Sequence, residues 1–210
     1  MKIIGGVRME GSMFYWICWS FWVYLTFLAE KKNPYRRKLS AVILILILLS
    51  NLQFHLGGYD IHASGLFLLM ICYLFFSQEK RTAIIYFFIC SLIVSIGYVA
   101  FHLFEIFDPV WIIFNKEWMM GIVFGYLAIL LQKTLKGRLL ITVCGTMQGE
   151  LLYAYTLSKF PVPYEISGFE YLDACALISA LLVGWSAIEN AGTYIQTHYH
   201  FFEKEKQKSS

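Results

Sequence analysis

Residues 139–157 read LLITVCGTMQGELLYAYTL. This run holds no Lys or Arg, and it approaches the roughly 20 apolar residues that a helix needs to cross about 30 Å of hydrocarbon. Inside it stand one amide, Gln148, and one acid, Glu150. An acid is costly at that depth, so such groups usually face the interior of a helix bundle and often mark ion or proton routes. An uncharged bilayer favours the neutral form. Glu150 lies slightly past mid-span, with Thr146, Tyr153 and Ala154 about one turn away. No Lys or Arg lies inside any apolar run of the chain, so a buried ion pair is not expected. Two readings follow. Glu150 is a strut, hydrogen-bonded across helices to Gln148, Asn51, Gln53 or a tyrosine hydroxyl. Alternatively, it is a functional polar site in a path through the membrane.

The same pattern recurs along the chain. Apolar runs fall at 13–29, 39–54, 61–76, 82–104, 118–131, 139–157 and 171–188, and charges collect between them. The 210 residues are 59% hydrophobic and only 15% charged. A soluble domain carries about 25% charged residues, so the deficit points to a surface that faces lipid. The expected fold is all-α, a polytopic transmembrane helix bundle of about seven spans. Residues 1–12 form a short N-terminal segment, 13–188 the membrane domain and 189–210 a cytoplasmic tail, whose last ten residues, FFEKEKQKSS, are expected to be frayed. The linkers are too short for a separate soluble domain.

Basic residues set the orientation, because Lys and Arg in short loops stay on the cytoplasmic side. With the N-terminus outside, thirteen of the 17 Lys and Arg fall inside: Lys31, Lys32, Arg36, Arg37, Lys38, Lys80, Arg81, Lys133, Lys136, Arg138, Lys204, Lys206 and Lys208. Lys2, Arg8, Lys116 and Lys159 fall outside. The bias predicts N-out and C-in. It also accounts for the net charge of +3 by topology, so no nucleic-acid partner is expected. The expected partner is the lipid bilayer, with a homo-oligomer or a second membrane protein as further candidates.

The first eight residues, MKIIGGVR, do not read as a cleavable signal, since no small-residue cleavage site follows the first apolar run. Gly5-Gly6 is compatible with a ribosome-binding sequence at the nucleotide level, which makes Met9 a candidate start. The first run, MFYWICWSFWVYLTFLA, carries Trp16, Trp19 and Trp22 at every third position. Packing against neighbouring helices is the expected use of this stripe, and an aromatic-lined groove the alternative. The five cysteines, Cys18, Cys72, Cys90, Cys144 and Cys175, all fall in predicted helices and read as small packing residues.

Met9-Glu10-Gly11, the aromatic first helix and the exit Lys31-Lys32-Asn33-Pro34-x-Arg36 resemble the YphA family, small integral membrane proteins of Bacillus and related spore-forming bacteria. The quoted likeness covers about residues 9–38, and the remainder agrees in size and hydropathy. The resemblance implies a multi-pass plasma-membrane protein. It brings no catalytic residues with it.

Two further patterns carry weight. Gly121-x-x-x-Gly125 and Gly145-x-x-x-Gly149 place small residues on one helix face, which lets backbones approach closely. The short connection between their helices predicts an antiparallel hairpin packed through these glycines. A second polar set gathers at the outer ends: His55, Asp60 and His62 around the second loop, and His102, Glu105 and Asp108 at the end of the fourth run. His55, Asp60, His62 and His102 are weak candidate metal ligands, because their spacing matches no zinc signature. No cofactor and no catalytic residue set is expected. There is no internal repeat, phosphate loop or nucleophile elbow. The leading functional expectation is a non-enzymatic accessory or interaction protein of the cell envelope. A small transporter or channel using Glu150 is the alternative, and a metal-dependent membrane enzyme the second.

Overall fold

The computed structural model describes residues 10–29, 35–56, 58–108, 110, 112–160 and 164–208, without the side chains of 35, 56 and 194–208. The Met9 start and the Lys31–Pro34 part of the exit motif lie outside the described residues.

Each apolar run becomes a helix. α1 spans Ser12–Val23 and closes in a π-helical turn over Tyr24–Leu28. α2 is Tyr35–Leu49, α3 Ala63–Phe76, α4 Arg81–Phe107, α5 Lys116–Leu131, α6 Leu135–Leu157 and α7 Phe169–Lys208. Among the described residues, two helical stretches are long and apolar enough to cross a bilayer. They are Arg81–Phe107 and Phe169–Thr193, whose most apolar 18 consecutive residues have mean hydropathies of 2.4 and 1.7. α1 with its π turn, and α3, are apolar but shorter. The expected frayed tail is helical as far as Lys208. Its Glu, Lys and Gln residues are good helix formers, and they extend α7 past the end of its apolar part.

The helices are built inside out. On α4 the buried side chains are Cys90, Ser91, Val94, Ser95, Tyr98, Phe101 and His102. That is a single stripe at helical spacing. Ile85, Phe88, Ile89, Leu92, Ile93 and Ile96 on the same helix are exposed. Contiguous exposed apolar surface on this scale marks contact with lipid or with another protein. Two members of the tryptophan stripe belong to that outer surface. Trp16 is 76% and Trp19 46% exposed, while Phe14 and Cys18 face the core. The expectation that the stripe packs against neighbouring helices is therefore corrected for Trp16 and Trp19, whereas Trp22 is partly buried.

The helix ends collect at two poles. At one, Asp173 of α7 accepts hydrogen bonds from the backbone N–H groups of Gly11 (2.9 Å) and Phe14 (2.7 Å). A carboxylate here satisfies orphan donors at the start of α1 and suits the positive end of its dipole. Lys116, at the start of α5, bonds Glu105 near the end of α4 and Glu170 at the start of α7. The α2–α3 connection folds as a hairpin at this pole, with β1 (Gln53–Leu56) antiparallel to β2 (Tyr59–His62). β3 (Glu165–Ile166), from the α6–α7 connection, joins β2 in parallel, pairing Asp60 with Glu165 and Ile61 with Ile166. This small sheet departs from a purely helical fold. At the opposite pole Glu79 pairs with Lys136 at 3.1 Å, and Arg138 meets Glu189 through two N–H groups at 2.7 and 3.2 Å.

The glycines pack, but not as a hairpin. A Cβ on Gly145 would lie 2.6 Å from Val94 Cβ and 2.7 Å from the Ser91 carbonyl oxygen, both on α4. One on Gly149 would lie 2.7 Å from Tyr98 Cβ, also on α4. Gly121 sits against Leu177 and Leu181 of α7, and a Cβ on Gly125 would meet nothing within 4 Å. The expected α5–α6 glycine hairpin is therefore corrected to close α4–α6 packing, with α5 leaning on α7. Four-residue spacing defines a helix face, and the connection length does not decide which neighbour that face meets. α6 is the central helix, with Ile141, Cys144, Met147 and Ala154 all buried.

A polar cavity floored by Glu150

Glu150 is 1% exposed. The Tyr98 hydroxyl on α4 donates to its Oε1 at 2.6 Å, and the Tyr164 hydroxyl in the α6–α7 connection donates to Oε2 at 2.7 Å. Ser167 holds φ at 61°, a left-handed geometry that turns the connection back over the site. Gly149 brings α4 close enough for this contact. The glycine and the acid are thus one device: without a side chain at 149, Tyr98 lies against α6 and reaches Glu150.

Tyr98, His102 and Glu105 follow one another on α4 at four- and three-residue spacing, so they share a face. The His102 ring packs against Tyr98 at 4.5 Å and Tyr153 at 4.9 Å between centroids. Its Nδ1 lies 3.3 Å from Glu105 Oε2. Its Nε2 is buried and has no hydrogen-bond partner. Lys116 Nζ lies 2.8 Å from Glu105 Oε2 and 2.7 Å from Glu170 Oε1. Burial draws the Lys116 ammonium down, but these two hydrogen bonds outweigh burial and hold it above the ordinary lysine value. Burial first, then the neighbouring Glu150, push the Tyr164 phenol up, so it remains a donor.

These groups line a cavity of about 190 Å³ at the pole where the small sheet sits. Glu150, Tyr98 and His102 lie along it, and Glu10, Glu117, Glu165 and Glu170 supply further carboxylates. Beneath this level Val94, Phe124, Ile141, Met147, Ile178 and Leu182 are buried apolar residues. The Thr142 and Thr146 hydroxyls there donate to carbonyls of their own helix, at 2.8 Å each.

Of the partners expected for Glu150, the tyrosine hydroxyl is the one that forms. Gln148 turns to α3, where its amide donates to the Tyr73 hydroxyl at 3.0 Å. Asn51 accepts from Tyr15 at 3.4 Å. Gln53 meets His62 Nε2 at 3.0 Å, while His62 Nδ1 reaches the Ser50 carbonyl oxygen at 3.0 Å. His62 is therefore a buried clasp for the hairpin. His55 and Asp60 form an exposed cross-strand pair at 2.6 Å. The candidate ligands His55, Asp60, His62 and His102 thus separate into three places. Among the described residues no three His, Cys, Asp or Glu side chains converge on one point. The five cysteines are buried and unpaired. Sequence reasoning missed Lys116 and Tyr98 as site residues. The legible signal was the Tyr98-x-x-x-His102-x-x-Glu105 spacing on one helix face.

The chain matches the family model described as YphA-like integral membrane protein over residues 10–208. It is 29% identical over 187 residues to the uncharacterized protein YphA of Bacillus subtilis (strain 168), covering 89% of this chain and 92% of that relative. No solved structure matches. The apolar outer surface, the two full-length apolar helices and a family match across nearly the whole chain agree, and the protein belongs to the YphA-like integral membrane protein family.

Proposed function

We propose that the protein is a seven-span component of the bacterial plasma membrane, N-terminus outside and C-terminus inside, that binds a small polar ligand in an outward-facing cavity. Its role is binding or accessory and not catalytic. The spans correspond to the apolar parts of α1–α7, and the thirteen-to-four distribution of Lys and Arg supports the orientation. The carrying observation is the make-up of the polar space. Tyr98, His102, Glu150, Tyr164 and Tyr171 line one cavity together with Glu165 and Gly168 of the sheet-bearing pole. Past Glu150 the buried Thr146 and Thr142 hydroxyls are each spent on a carbonyl of their own helix, and Arg138 closes on Glu189 at the other pole.

Single cysteines test the orientation. Gly168 lines the cavity, and a Cβ there meets only ordinary contacts at 3.8 Å or more. Gly168→Cys in intact cells should react with a membrane-impermeant thiol reagent. Lys133→Cys, between α5 and α6, should react only after permeabilisation. The buried native thiols give little background. The reverse pattern would refute the orientation and the outward-facing cavity together.

A further inference from the structure

We infer that the cavity accepts a small organic cation of the ammonium type, held by His102 Nε2 and Glu150 beneath a rim of carboxylates. This rests on the binding reading above and names the ligand's chemistry. His102 supplies the first argument. Its Nδ1 lies 3.3 Å from the Glu105 carboxylate, so in the neutral ring the proton is assigned to Nδ1 and Nε2 is the acceptor. Nε2 is buried and unpartnered in a side chain that is 7% exposed, and His102 is one of the residues that line the cavity. Buried polar atoms are almost always satisfied, and this one needs a donor. Charge supplies the second. Glu10, Glu117, Glu165 and Glu170 line the same space, and the one lysine among its described residues, Lys116, is already bonded to Glu105 and Glu170. The rings of Tyr98, Tyr164, Phe169 and Tyr171 add faces that attract cations.

The alternatives fit less well. An anion would meet the carboxylate rim. A ligand with acceptors alone would leave Nε2 unpaired. A divalent metal lacks three converging ligands among the described residues. The volume of about 190 Å³ is below the roughly 300–1,000 Å³ of drug-sized sites, so the ligand has few heavy atoms.

The test uses the purified full chain in detergent at fixed ionic strength. Butylammonium, butan-1-ol and butyrate, similar in size and different in charge, are titrated by calorimetry. Butylammonium should bind saturably and at least about tenfold more tightly than butan-1-ol, with butyrate silent. His102→Leu should weaken it by about tenfold or more, and Glu165→Gln, an exposed change that leaves the fold intact, by severalfold. Butan-1-ol or butyrate binding as tightly as butylammonium would overturn the cationic assignment while leaving the binding site in place. Butylammonium affinity unchanged in both variants would place the amine elsewhere and overturn it too. Silence of all three probes also overturns it. Labelling of Gly168→Cys from outside then decides separately whether the open cavity stands.

Discussion

Glu150→Leu should lower the stability of the purified protein by about 2–4 kcal/mol, because it strips the acceptor from two phenols at once. Tyr98 is 1% exposed, so its hydroxyl cannot recover the lost bond from bulk water. Tyr164 is only half-buried and recovers part of its loss to water in the cavity. For a chain of this size the shift in melting temperature is roughly 4–16 °C. Glu150→Gln keeps a carbonyl oxygen for Tyr98 and offers an amide to Tyr164, whose hydroxyl can rotate to accept. It should stay within about 1 kcal/mol of wild type. A thermal-unfolding series in one detergent checks both. A leucine variant as stable as wild type would mean that the acid is not a strut between α4, α6 and the connection over them.

Gly145→Ala should cost about 1–3 kcal/mol, and Gly145→Leu should abolish folding. The new methyl group would sit 2.7 Å from a backbone oxygen of Ser91, so α4 itself must move. Gly125→Ala should be neutral or stabilising by up to about 1 kcal/mol, because its Cβ meets nothing and alanine favours the helix. Equal damage at both positions would restore the α5–α6 glycine hairpin and overturn the packing described here. Yield of monodisperse protein and melting temperature together separate the two cases.

Helix positions were legible because apolarity and helicity share their limits in a chain that faces lipid. The run 139–157 becomes α6, Leu135–Leu157, and the run 82–104 becomes α4, Arg81–Phe107. Partner choice was not legible. Gly145 and Gly149 advertise a close approach, but they hold no information on whether α4 or α5 supplies the surface. The polar run between α2 and α3 read as a loop, although four residues on each side of positions 57–58 pair as strands. Gly57-Gly58 between them is a hairpin signal that the His and Asp content masked. Glu150 was recognised as the residue to explain, and a tyrosine was among its expected partners. The site around it combines α4, the start of α5, the α6–α7 connection and the start of α7. No spacing within one segment encodes that convergence. His102 was read beside the hairpin histidines because all lie near the same pole, and only the fold separates them.

The most direct test of an outward cavity sealed at its base is the reactivity of Ser95→Cys. Ser95 is 5% exposed on α4, one turn before Tyr98 towards the pole of Arg138 and Glu189, and the exchange is nearly isosteric. With Gly168→Cys as the positive control, a small charged thiol reagent is applied to either face of sealed, oriented membranes. The sealed base predicts labelling of Gly168→Cys from the outer face and no labelling of Ser95→Cys from either. Labelling of Ser95→Cys from the inner face would reveal a polar route past Glu150. That result would replace a binding protein with a transporter.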